Sequence, residues 1–287
     1  LHWRKLMVLF SCPIAVFWLL SLCLLEESPV FLASVGERQA ALEGLCRMAR
    51  QNGCTEMVED YNDVETDPPS TLIERLSVIF SPRFVKWTFT VIFANFCLSA
   101  FTSGIMYAAP QVLNEVGSLQ AGAQTLGVTT LSLVWPLVTA PIVQVLPRNR
   151  AICLAAAVGA LGCTFFSFCG QWTPPRAVPL EIGFQVGLNM PPICMGLGVM
   201  AIQQFSVETY PTTASSTAAS VVQLGALAGY IMAPLGFEEF RRVCGHWSAF
   251  FVVLVVAFTC SAGATALLKP LPPRENRKAC YGSLAVA

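Results

Sequence analysis

Charge is what this sequence has least of. Charged residues make up 12% of its 287 positions, about half of the roughly 25% in a soluble domain, so the chain lacks the polar surface needed to stay dissolved. Its 17 Lys and Arg balance 17 Asp and Glu. No dominant basic patch follows, and nucleic acid is not an expected partner. Histidine occurs only as His2 and His246, and there is no HExxH, nucleophile elbow or phosphate-binding loop. Zinc hydrolysis, serine-type catalysis and an ATP-driven pump therefore lose their usual signatures. The twelve cysteines contain no CxxC pair and no zinc spacing. Most, such as Cys97, Cys153, Cys194 and Cys260, lie inside apolar runs, where a thiol serves as a small packing residue. No enzymatic activity, metal or cofactor is expected.

What is abundant is apolar sequence: hydrophobic residues are 55% of the chain and the mean hydropathy is +0.62. Seven spans emerge, at about 6–25, 84–108, 121–146, 151–170, 178–205, 214–236 and 247–268. Each approaches or exceeds the roughly 20 residues that cross a bilayer. Backbone in lipid must satisfy its own hydrogen bonds, so the spans predict helices and an all-α polytopic membrane protein. Pro136, Pro141, Pro191, Pro192 and Pro234 fall inside spans, where neighbouring helices can accommodate kinks. No Asp, Glu, Lys, Arg or His falls near the middle of any span.

Residues 26–83 form the one long polar segment. A helical pattern opens at Gly36 and stops at Asn52-Gly53. An acidic stretch from Glu56 to Asp67 then runs into Pro68-Pro69, and a short helix is predicted from Thr71 to Ile79. Placing 26–83 in the cytoplasm puts Arg148, Arg150 and the tail cations Lys269, Arg274, Arg277 and Lys278 on the same side, the sense the positive-inside rule requires. The expected organisation is a membrane helix over 1–25, a cytoplasmic loop over 26–83, a six-helix bundle over 84–268 and a cytoplasmic tail over 269–287.

Two short stretches carry a family resemblance. Glu26-Glu27-Ser28-Pro29-Val30-Phe31-Leu32 resembles the "PESPRWL" signature that follows helix six of major facilitator superfamily transporters. Glu208-Thr209-Tyr210-Pro211-Thr212 resembles the "ExYPT" signature between helices ten and eleven. With Trp3-Arg4 before the first span and Gly229-Tyr230-Ile231-Met232-Ala233-Pro234 late in the chain, the set is similar to the sugar and organic-ion porter branch. Within it, the helix carrying Gly225, Gly229 and the Gly229-to-Pro234 run resembles organic cation transporters and synaptic-vesicle-protein-like chains more than the hexose branch. The resemblance covers nearly the whole chain. It implies helix six plus the C-terminal half of a secondary transporter for a small organic solute or organic ion, working by alternating access in a plasma or organelle membrane. Leu1 then reads as an internal position, and an N-terminal six-helix half is the implied partner, alongside the lipid bilayer.

Departures from the family pattern bear on gating. Val30 and Ser215 stand where the family has arginine, Glu26 where it has proline, and the connector Leu146-Pro147-Arg148-Asn149-Arg150 lacks the family's Asp. The resemblance implies a cytoplasmic charge network; here Glu27 and Glu208 remain, with Arg148 and Arg150 as substitute cations. Lost gate charges also fit a second reading, a non-transporting membrane receptor or scaffold of the same fold. A truncated, non-functional product is a third.

A transporter site near the bilayer midplane needs polar groups facing the bundle interior. The candidates are Asn95 and Tyr107 in the second span, Gln124 and Trp135 in the third, and Gln185 and Asn189 in the fifth. Asn95 and Asn189 are the preferred pair because both lie mid-span. An amide both donates and accepts, so each candidate also fits a plain helix–helix hydrogen bond.

Overall fold

The structure, a computed structural model, describes residues 3–24, 27, 29, 32–33, 36–51, 53, 71–116, 121–172, 175 and 177–268. Glu26, Ser28, Val30, the acidic stretch 56–67, Pro68-Pro69, Arg176 and the tail 269–287 lie outside the described residues. All regular secondary structure among the described residues is helical. The chain divides into two compact units, Leu1–Pro69 and Ser70–Ala287.

In the first unit, α1 (Trp3–Leu24) carries the apolar stretch Met7–Cys23. Helix α2 (Arg38–Gln51) is amphipathic, and Ala41 and Gly44 are its buried positions. A methyl group on Gly44 would sit 3.3 Å from Pro29 Cγ, so that side of α2 lies close against Pro29.

The second unit begins with α3 (Leu72–Ile79), started by a capping box. Glu74 N–H donates to Thr71 Oγ1 and Thr71 N–H donates to the Glu74 carboxylate at 2.9 Å. Thr-x-x-Glu ahead of an apolar run is a legible start signal. Six long helices follow: α4 (Val85–Val116), α5 (Ala121–Val145), α6 (Arg148–Gly170), α7 (Val178–Thr209), α8 (Thr212–Cys244) and α9 (Ser248–Leu267). All six are long and apolar enough to cross a membrane. The protein is an all-α polytopic membrane protein.

Two helices outrun their expected ends. Helix α4 continues past residue 108, through Pro110, to Val116, and α8 continues past 236 to Cys244. Both carry charge in these extensions, which hydropathy alone reads as a stop. The charges are paired across the two helices, so the extensions are stable outside the apolar slab. At 32 and 33 residues they exceed the roughly 20 that a bilayer needs.

Packing follows from small residues and rings. Helix α6 lies along α7 and α9, and α4 lies along α8. A Cβ on Gly187 would strike the backbone of Phe166, and one on Gly229 would lie 2.5 Å from the carbonyl of Phe96. Without a hydrophobic drive between helices in lipid, such close approach is the main source of association. The densest region is a cluster of rings. Phe166 stacks on Phe184 at 5.2 Å between centroids and meets Trp247 and Phe251 edge-on at 5.3 and 4.9 Å. Phe237 and Phe250 continue the cluster into α8 and α9.

Candidate functional site

Alternating chain direction gives the second unit two ends. At one end α5 stops and α6 starts, and α7 stops and α8 starts. There Arg148 and Glu208 meet: Nη2 donates to Oε1 at 3.0 Å, Nε to Oε2 at 3.3 Å, and Nη1 to the carbonyl of Val143 at 2.8 Å. The fork fits the carboxylate in bidentate fashion. The side chains are 26% and 43% exposed, so the pair contributes about 0.2–1 kcal/mol. Such a contact breaks at little cost. Of the four expected gate residues the structure brings together these two. Arg150 is exposed on the first turn of α6, and Glu27 is exposed in the first unit.

Beside the pair, Tyr210 is buried at 4% exposure. Its hydroxyl lies 2.8 Å from Thr88 Oγ1, which also lies 3.0 Å from the carbonyls of Ile79 and Phe84. Carbonyls only accept, so Thr88 gives its one proton to them and the Tyr210 hydroxyl donates to Thr88. Burial pushes the Tyr210 phenol above its ordinary value, opposed by the Thr88 bond; it remains a donor at neutral pH. This tyrosine of the Glu-x-Tyr-Pro-Thr stretch thus ties the α7–α8 junction to the start of α4.

At the other end, α4 and α8 are joined by a polar ladder that the expected spans left out. Tyr107 donates to Glu238 Oε1 at 2.8 Å and Gln111 Nε2 to the same oxygen at 3.4 Å. Arg241 donates to Gln111 Oε1 at 2.7 Å and to Glu115 Oε1 at 2.5 Å. Its signal was in the sequence: Tyr107, Gln111 and Glu115 recur every fourth residue, one face of a helix.

Between the ends, α4, α5 and α7 line a half-open cavity of about 390 Å³. Pro136 of α5 and Pro191-Pro192 of α7 are on its walls, and both helices continue through them. Each proline removes one backbone donor from its helix. At Gly196, also on the wall, α7 comes close to α5: a methyl group there would sit 2.6 Å from Thr139 Oγ1. The lining is apolar apart from Thr102 and Ser132.

The expected binding residues distribute unevenly about this cavity. Asn95, 2% exposed, donates to the carbonyl of Val222 at 3.1 Å and so ties α4 to α8. Asn189 donates to the Gln185 carbonyl one turn back, and Gln185 Nε2 donates to Glu181 at 3.1 Å. Neither Asn95 nor Asn189 lines the cavity, and the structure does not bring the preferred pair together there. Tyr107 belongs to the end ladder. Gln124 and Trp135 sit on α5, whose residues Val128, Ser132 and Pro136 do line the cavity. Among the described residues there is no cluster of His, Cys, Asp or Glu that could hold a metal.

A family model described as "Sugar (and other) transporter" matches residues 1–266. No curated protein matches. The match spans nearly the whole chain and agrees with the six membrane-length helices. The chain belongs to the Sugar (and other) transporter family, within the major facilitator superfamily.

Proposed function

We propose that this chain is helix six and the C-terminal half of a secondary transporter that carries a small organic solute by alternating access. Helices one to five, joining helix six in the N-terminal half, complete the pathway. The observation that carries this reading is the cavity between α4, α5 and α7, at the level of the prolines in α5 and α7. A seat near mid-membrane, between helices of one half, is the arrangement that lets two halves rock about a bound solute. In this reading the Arg148–Glu208 end is cytoplasmic, and residues 26–83 and the C-terminal tail lie on that side. Glu27, Arg148, Arg150 and Glu208 belong to the inner gate, which a latch this weak can open on each cycle. The organic-ion branch rests on the resemblance of α8 alone.

The receptor or scaffold reading draws on Val30 and Ser215, which lack the family's arginines. Arg148 supplies Glu208 with the cationic partner that an uncharged residue at position 215 cannot be, which favours a working gate. Solute uptake into cells expressing the full-length protein tests the choice. Arg148→Glu and Glu208→Arg should each lower uptake several-fold at equal surface abundance, and the double exchange should restore most of it. Unchanged uptake in both single variants would sink the gate assignment.

A further inference from the structure

At its Arg148–Glu208 end the second unit carries an apolar face left uncovered among the described residues. Helix α3 is held there by its last turn. Ile79 is fully buried and packs with Phe84, Tyr210, Ala214 and Ala218, with Val78 beside it. Thr88 Oγ1 lies 3.0 Å from the Ile79 carbonyl, and the Val85 N–H donates to the Ser81 carbonyl at 2.9 Å. These contacts hold α3 against the starts of α4 and α8, so its outward side is fixed. At about 100° per residue, Leu72, Leu76, Phe80 and Ile73 share one sector of roughly 100° beside the buried side. Leu72 and Ile73 are 64% and 79% exposed, Phe80 is exposed and Leu76 half-buried. Glu74, engaged in the capping box, lies about 150° from the centre of that sector.

The sector adjoins the membrane side of α4. Phe80 meets Phe89 at 5.8 Å between ring centroids, and Phe89 belongs to the helix that crosses the bilayer. Lys86, Phe89 and Phe93 lie within roughly 60° of one another on α4, and all three are exposed. Thr102 and Met106, which line the cavity, are turned roughly 100° or more away from each of them. The cavity side of α4 is the one the other half approaches, so the Phe89 side looks away from that half, to lipid. The outward sector of α3 continues this lipid-facing surface past the edge of the apolar slab. A helix with one apolar sector at that depth seats it between headgroups and acyl chains. Charge fits the same occupant. Arg83 and Lys86 are exposed where α3 passes into α4, and long cationic side chains there keep apolar stems in lipid while their heads reach phosphate.

We infer that α3 is a membrane-surface helix: Leu72, Ile73, Leu76 and Phe80 seat in the leaflet at the Arg148–Glu208 end, and Arg83 and Lys86 bind the phosphates of anionic lipids there. The inference needs the membrane-spanning helices and neither the solute seat nor the gate. Through Ile79 and Thr88 the seated helix is tied to Tyr210 at the α7–α8 junction, so lipid at this surface bears directly on that junction.

The test uses the full-length protein in vesicles of phosphatidylcholine and phosphatidylserine, with a trace of either lipid carrying a diazirine high on its acyl chain. After illumination, adducts on residues 72–80 are read by peptide mass spectrometry, and hydroxyl-radical oxidation of the same residues reads their contact with water. Adducts should form within the Leu72, Ile73, Leu76 and Phe80 sector, with little oxidation. The phosphatidylserine probe should give roughly fivefold more adduct than the phosphatidylcholine probe at equal mole fraction. Arg83→Gln combined with Lys86→Gln should bring that ratio close to one and leave the phosphatidylcholine adducts in place. Strong oxidation without adducts would put the face in water and overturn the inference. Neither adducts nor oxidation would mean that protein covers the face, the other half or the loop before α3, and would overturn lipid as the occupant. Equal adducts from the two probes in the unaltered protein would overturn the anionic preference.

Discussion

Two apolar regions of the same bundle are filled in opposite ways. Around Phe166, rings of α6, α7 and α9 interlock at centroid distances of 4.9 to 5.3 Å, and Phe237 of α8 joins them at 6.3 Å from Phe251. Between α4, α5 and α7, about 390 Å³ stays open and unpartnered polar atoms remain on α5. Hydrophobicity does not separate the two regions. Side-chain shape does: flat rings interlock in the first, while the second, with Pro136 and Pro191-Pro192 on its walls, stays open. The filled region ties α6, α7, α8 and α9 together, and the open one leaves room between three helices.

Substitutions should sort by region. Phe166→Ala carries the largest stability cost, about 3 kcal/mol. That is the low end of the range for a buried Phe, because lipid removes much of the transfer term and leaves the cavity term. The melting temperature of the purified protein reads it. Gly187→Ala comes next at about 1–3 kcal/mol, since the backbone of Phe166 blocks the new methyl and cannot move aside as a side chain would. Asn95→Leu should cost about 0.6 kcal/mol, and no more than about 1.7, by removing one interhelical hydrogen bond. A larger loss, or a change in solute affinity, would promote Asn95 from tie to ligand. The smallest stability effect belongs to the open region. Val199→Phe has room for its ring and should shift stability by less than about 1 kcal/mol, while lowering solute uptake several-fold at equal surface abundance. A large destabilisation there would erase the contrast between the regions.

Hydropathy made the membrane-length helices legible because lipid allows the backbone no alternative to helix. It misjudged where α4 and α8 stop, since Glu115, Glu238 and Arg241 look like ends until their cross-helix partners are known. The gate pair was half legible. Arg148 and Glu208 were visible as residue types, but their sixty-residue separation hides the bidentate contact. Gln124 and Trp135 were picked out as polar residues in an apolar span, and nothing in their spacing marked them as unpartnered. Asn95 carried the same signal and turned out bonded to Val222. An amide in a span announces a need for a partner, and only packing decides whether a helix meets it. The prolines on the cavity wall were legible too, without telling how three helices pack around them.

The most direct test of the transporter account needs no solute. In sealed membrane vesicles, the Ser132→Cys full-length protein is exposed to a membrane-impermeant methanethiosulfonate from one face or the other, and modification of position 132 is followed by mass spectrometry. The account predicts reaction from both faces, with Glu208→Gln accelerating it from the face that carries the Arg148 pair. Reaction from one face only, or from neither, would contradict alternating access through this cavity.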